Sequence, residues 1–304
     1  MTNKLHEFTC IRKALFLEVG LGISANAILL LFHIFKFFLQ HRLKPTDLII
    51  CLLTLIHLGM LIILGYMGTN VFVSQEFWND IKCKSFIYLY RFLRGFSICA
   101  SCLLSVLQAI SLSPRSSFLA KFKYKSPYQN LCSLIFLWIL YMSLSAPFSY
   151  SSTAILNMTS HGLICNTESC MTFPMSYFIR HLFSVLGVFR DVILIGLMAL
   201  SSGYMVALLC RHQRHLQHLQ STNLSLKASP VQRATWTILL LMSFFMLMYC
   251  LDCFFSSSRT MWSNDPICHY IQMIVANSYA MTCPLLLIFN EKQIINFLNL
   301  FLGR

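Results

Sequence analysis

Seven stretches of this chain are apolar enough and long enough to cross the roughly 30 Å of hydrocarbon in a bilayer. They lie at approximately 14–35, 47–68, 85–112, 129–152, 176–209, 235–255 and 267–289. The expected fold is an all-α membrane protein, a single domain over residues 1–304 built as a bundle of seven transmembrane helices. Composition agrees, because charged residues make up only 11% of the chain against about 25% in soluble domains. Too little charge is present to solvate a globular surface. The net charge of +13 would suit nucleic acid, yet apolar runs put most of the chain out of reach of such a partner. Its basic residues belong to loops.

The first stretch starts near residue 14, and no small-residue cleavage site follows a short apolar core, so it reads as a retained span. The fifth exceeds what a bilayer requires and should tilt or project a turn or two into water. No internal repeat is visible, which counts against a transporter built from duplicated halves.

Lysines and arginines indicate which ends are cytoplasmic. The segments 36–44, 113–127, 210–234 and 290–304 hold 13 of them, and the alternate set holds 6. This places the N-terminus outside and the C-terminus in the cytoplasm. Two glycosylation sequons, Asn157-Met-Thr159 and Asn223-Leu-Ser225, fall in loops on opposite faces. Only one can meet the glycosylation machinery. The segment 153–175 carries no lysine or arginine, so Asn157 should bear the glycan and Asn223 should be bare.

The same topology sorts the 13 cysteines. Cys10, Cys83, Cys165, Cys170 and Cys268 fall in outward segments, where disulfides are allowed. A bridge from Cys83 to Cys165 or Cys170 would tether the loop between the fourth and fifth spans over the bundle mouth. Residue patterns alone do not choose between them. Cys99-Ala-Ser-Cys102 and Cys250-Leu-Asp-Cys253 lie inside apolar spans with no matching second ligand pair. They read as small residues packing helix on helix, not as a zinc or redox site.

Charges within the spans are more informative. A charge at the centre of a bilayer costs about 2.5–3.5 kcal/mol on insertion scales, so such residues usually face the bundle interior or water. Tyr90 and Arg94 share a helix face at i,i+4, and Arg91 leans onto it at i,i+3. Near the outer end of the third span they would form a cationic, tyrosine-edged wall for a small ligand with an acidic or polar group. The alternative is that both arginines snorkel to outer headgroups. Arg190 in the fifth span needs a partner or water, and Asp252 near the outer end of the sixth is a candidate partner for an arginine. On the inner side, Arg211, Arg214, Lys227 and Arg233 offer a docking surface for an acidic or amphipathic partner, or equally for lipid headgroups. His212, His215 and His218 repeat at a spacing of three, as successive turns of an exposed helix would. No metal site and no cofactor are expected.

Longer strings resemble one receptor family. Tyr88-Leu-Tyr-Arg91-Phe-Leu-Arg94-Gly95-Phe-Ser97-Ile-Cys99, followed by Cys102-Leu-Leu-Ser-Val-Leu-Gln108, closely resembles the third span of vomeronasal type-1 receptors. His41-Arg-Leu-Lys-Pro45-Thr46-Asp47 resembles their first inner loop, and Gly203-Tyr-Met-Val-Ala-Leu-Leu-Cys210-Arg-His212 the end of their fifth span. Ala228-Ser-Pro230, Gln232-Arg233-Ala234, Thr237 through Phe245, Ser256 through Met261 and Glu291-Lys292 extend the similarity over nearly the whole chain.

The resemblance implies a seven-helix, G-protein-coupled receptor of vomeronasal sensory neurons, in the plasma membrane, for pheromones or other small, volatile or steroid-like chemosignals. It implies coupling to an inhibitory-type G protein, a glycan at Asn157, and Cys170 rather than Cys165 as the partner of Cys83. Asn26, Trp138 and Pro284 match opsin-like receptors more widely. Gln108 and His57 stand where that wider group has an arginine and a sodium-binding aspartate, so neither an ionic lock nor that sodium site is expected. A bitter-taste receptor has similar length but different inner-loop motifs. A transporter would want charges through the midplane, and an enzyme would need a nucleophile, a base and an orienting group at one depth.

Overall fold

The computed structural model describes residues 2–40, 45–70, 80–114, 132, 135, 136, 139, 152–154, 164–167, 170–172, 177–219, 230–258 and 266–290. Six helices stand among them: α1 (Thr2–Gln40), α2 (Pro45–Asn70), α3 (Asp80–Leu112), α4 (Tyr177–Leu219), α5 (Pro230–Ser258) and α6 (Pro266–Asn290). They carry the first, second, third, fifth, sixth and seventh expected spans. Of the fourth span, 129–152, only Cys132, Ile135, Phe136 and Ile139 are described; all four are helical and exposed. Helix is forced on these segments because hydrocarbon offers no partner for a free amide or carbonyl.

Among the described residues, five helices are long and apolar enough to cross a membrane, and α5 adds the shorter apolar run Leu239–Asp252. The chain is a seven-helix bundle of the expected all-α class. Helix α4 has 43 residues, roughly 65 Å at 1.5 Å per residue. It therefore overshoots the bilayer, as the length of its apolar run suggested. Three helices open on proline, at Pro45, Pro230 and Pro266, where a missing N–H costs nothing. In α2, Asp47 of the first turn receives the Lys36 ammonium at 2.9 Å, pinning the C-terminal end of α1 to the N-terminal end of α2.

Beyond the helices, a small antiparallel sheet forms in the segment expected to link the fourth and fifth spans. Its strands β1 (Ser152–Ala154), β2 (Ile164–Thr167) and β3 (Cys170–Thr172) are ordered β1-β3-β2. The register pairs Ser152 with Thr172 and Ile164 with Thr172 on either side of β3. Strand β1 lies against α3, so this loop sits at the end of the bundle where α3 begins. The backbones of Cys165 and Cys170 are in strands and that of Cys83 is in α3. Their side chains, and therefore the expected bridge from Cys83, lie outside the described residues, as does Asn157.

The main core joins α2 through α6, with Leu53, Ile56, Ile98, Met198, Met242 and Phe245 at its centre. Cys99, Ala100 and Cys102 are buried in it, and neither cysteine is in a disulfide. The first Cys-x-x-Cys is thus packing material, as read from the sequence; small residues let membrane helices approach closely. A second cluster of Leu15, Val19, Leu61, Leu64 and Ala280 closes α1 onto α2 and α6.

Candidate functional site

One face of α3 carries a polar stripe at Tyr90, Arg94, Ser97, Ser101 and Ser105, steps of three or four residues that keep one face of a helix. Its members reach four other helices. The Tyr90 hydroxyl donates to Asn277 Oδ1 on α6 at 3.1 Å. Arg94 forms an ion pair with Asp252 on α5. Ser97 Oγ and His57 Nε2 on α2 are 3.1 Å apart. Ser101 Oγ meets the Tyr279 hydroxyl of α6 at 3.2 Å, and Ser105 meets Ser201 of α4 at 2.6 Å. The third span is therefore the hub of the bundle.

Beside this stripe, between α2, α3, α5 and α6, lies a small cavity of about 30 Å³, open at its mouth. Arg94 and Asp252 border it, with His57 and Ser97 as its other polar members. Its walls are apolar or aromatic: Met60, Ile98, Phe245, Met248, Tyr249, Ala276, Tyr279 and Ala280. Tyr279 is clamped edge-on between His57, at 5.2 Å between ring centroids, and Phe245, at 4.4 Å. A mostly apolar pocket with a few convergent polar groups is the usual form of a small-molecule site.

The sequence expectations fare differently one by one. Arg94 and Asp252 meet at the cavity, so the pairing raised from the sequence forms. The expected cationic wall is instead a neutralised pair, since an unpaired guanidinium in this medium would be costly. The Asp252 side chain keeps 9% of its exposure and that of Arg94 26%. Gln272 Nε2 approaches the other Asp252 oxygen at 3.5 Å. Tyr90 faces Asn277 and does not line the cavity. Arg190 is half-buried on α4 and is not among the lining residues. At the opposite end of the bundle, Arg211 and Arg214 are exposed on the projecting part of α4. Arg233 lies in α5 with its side chain outside the described residues, and Lys227 lies outside them altogether. Among the described residues no cluster of three metal-ligating side chains occurs.

Sequence reasoning passed over Ser97, Ser101, Asn277 and Tyr279. The three-and-four spacing of serines below Arg94 was the signal that marks Ser97 and Ser101. Nothing local marks Asn277 or Tyr279, whose roles depend on which helix packs opposite.

Comparison with known proteins decides the family. The profile of the vomeronasal organ pheromone receptor family matches residues 9–300. This chain belongs to that family. It is 62% identical to vomeronasal type-1 receptor 90 of Rattus norvegicus over 289 residues, covering 95% of this chain and 93% of the relative. Vomeronasal type-1 receptor 100 of the same species is 52% identical, with 97% and 91% covered. Vomeronasal type-1 receptor 47 of Mus musculus is 51% identical, with 97% and 95% covered. The receptor is thus a multi-pass plasma-membrane protein of the chemosensory kind, and its relatives are named as receptors, not enzymes.

Proposed function

We propose that this receptor detects pheromones or other small chemosignals in vomeronasal sensory neurons and signals through a heterotrimeric G protein, of the inhibitory type that the family resemblance implies. The observation that carries the reading is the largely apolar cavity with the Arg94 and Asp252 ion pair at its edge. In this reading the cavity end of the bundle faces outward, with the N-terminus exoplasmic. A bridge from Cys83, to Cys170 or alternatively Cys165, ties the glycosylated Asn157 loop over it. Arg94 and Asp252 orient the polar end of the ligand, and Tyr90 holds α6 in place through Asn277. Arg211, Arg214, Lys227 and Arg233 meet the G protein at the other end.

A ligand shifts a receptor only by binding its active arrangement better than its resting one. Moving the population from about 1:99 to 99:1 takes about 5.5 kcal/mol of differential affinity. The ion pair between α3 and α5 is a natural place to gain it, because its geometry changes whenever those helices move apart. The test is expression with a promiscuous G protein and a screen of small volatiles and steroids for calcium or cyclic-nucleotide responses. For any agonist found, Arg94→Ala and the cavity-filling Ala276→Phe should each weaken potency at equal surface level. Unchanged potency in both would remove the cavity from ligand recognition.

A further inference from the structure

Among the described side chains, Glu18 is a buried carboxyl within the first span that the ion pair does not account for. It is 6% exposed, and neither carboxyl oxygen has a hydrogen-bond partner. It sits one turn from Gly22 on the same face of α1. A Cβ at Gly22 would touch Leu61 of α2 and, at 3.4 Å, the Met281 Cα of α6. Helices α1 and α6 run in the same direction across the bundle. Glu18 and Asn277 each stand four residues, about one turn, before Gly22 and Met281 in their helices, which puts them at a similar level of the bundle. Tyr90, hydrogen-bonded to Asn277, is within electrostatic reach of Glu18, Arg94 and Asp252. Arg94 is already engaged by Asp252, so it does not serve Glu18.

An unpaired carboxylate in hydrocarbon is costly enough that it takes up either a proton or a cation. A proton resolves the charge, and its O–H would find an acceptor oxygen, but the carbonyl oxygen of the acid still has no donor, which is itself unfavourable. A small cation satisfies both oxygens together. At this level of α3 and α6, Asn277 Oδ1 uses one of its two acceptor positions on Tyr90, and the Tyr90 hydroxyl oxygen can accept as well as donate.

We propose that Glu18, with the Tyr90 and Asn277 pair beside it, forms a binding site for a small monovalent cationic group, an inorganic ion or the ammonium head of an amine. The inference stands apart from the chemosensory reading, since it requires only the buried carboxyl and its neighbours.

The test uses the purified full chain in nanodiscs, wild type beside Glu18→Gln. Unfolding midpoints are compared in sodium chloride and in N-methylglucamine chloride at equal ionic strength, and separately with cyclohexylamine and with cyclohexanol. The expected result is a saturable rise of several degrees in the wild type that Glu18→Gln abolishes. A response to sodium identifies an inorganic ion, and a response to the amine but not the alcohol identifies an ammonium. Absence of both overturns the proposal and leaves Glu18 a protonated acid. A second measurement needs no variant: labelling of Glu18 by dicyclohexylcarbodiimide, read by mass spectrometry, should slow at least tenfold with the effective cation. Labelling at an unchanged rate in both sodium and the amine overturns the proposal equally.

Discussion

The side-chain amide of Asn26 donates to the main-chain carbonyl of Ala280 at 2.9 Å, and Ala280 stands four residues before Pro284 inside α6. A proline has no N–H, so the Ala280 carbonyl lacks its ordinary helical partner. Asn26, fully buried, supplies the missing donor from α1 while also reaching the Gly22 carbonyl at 2.8 Å. Asn26→Ala should therefore cost about 1–3 kcal/mol and lower the unfolding midpoint of the purified receptor. Pro284→Ala restores a donor within α6, so the same Asn26→Ala change should cost less in that background. Equal losses in the two backgrounds would separate Asn26 from the proline.

Gly22 and Gly20 offer a matched pair on one helix. A Cβ at Gly22 would lie 2.7 Å from Leu61 Cδ1, and Leu61 is itself fully buried; at Gly20 nothing lies within 4 Å. Gly22→Ala should cost about 1–3 kcal/mol through overpacking. Gly20→Ala should be neutral or gain up to about 1 kcal/mol from helix propensity. Thermal unfolding in detergent reads both, and a loss at Gly20 equal to that at Gly22 would refute the steric account.

The helices were legible because hydrocarbon enforces a long apolar run for each crossing, and that requirement is local. The spans expected at 47–68 and 267–289 differ from α2 and α6 by only one or two residues at each end. Helix α1 runs well beyond 14–35 because a helix does not stop where the hydrocarbon does. Legibility falls where meaning depends on the opposite wall. Arg94 announced itself as a misplaced charge, whereas Asn277 and Tyr279 look like ordinary residues of an apolar helix until α3 is set beside them. The sheet over 152–172 was also hidden, since its short strands carry no apolar period of their own. Glu18, an acid within the first span, was passed over in the sequence, and its burial shows only when α2 and α6 close around it.

The Arg94 and Asp252 pair should behave as a unit. Removing either partner leaves a charge without compensation, at a cost of about 3 kcal/mol, the lower end for buried pairs, because Arg94 retains a quarter of its exposure. Arg94→Ala and Asp252→Ala are each expected to lower the unfolding midpoint. Exchange of the two, Arg94→Asp with Asp252→Arg, should recover at least half of the loss. Additive losses in the exchanged receptor would mean that the pair contributes nothing as a pair.

The two sequons test the orientation on which the outward-facing cavity depends. Lysine and arginine favour the segments that share a face with 210–234 by 13 to 6, and positive loops stay in the cytoplasm. Asn157, in the segment 153–175 that carries no lysine or arginine, should therefore carry the glycan. Glycosidase treatment should shift the mobility of the wild type and of Asn223→Gln but not of Asn157→Gln. The opposite pattern would turn the bundle over. Arg94, Asp252 and the cavity would then face the cytoplasm, where no external chemosignal reaches them, and the exposed Arg211 and Arg214 would face outward, away from any G protein.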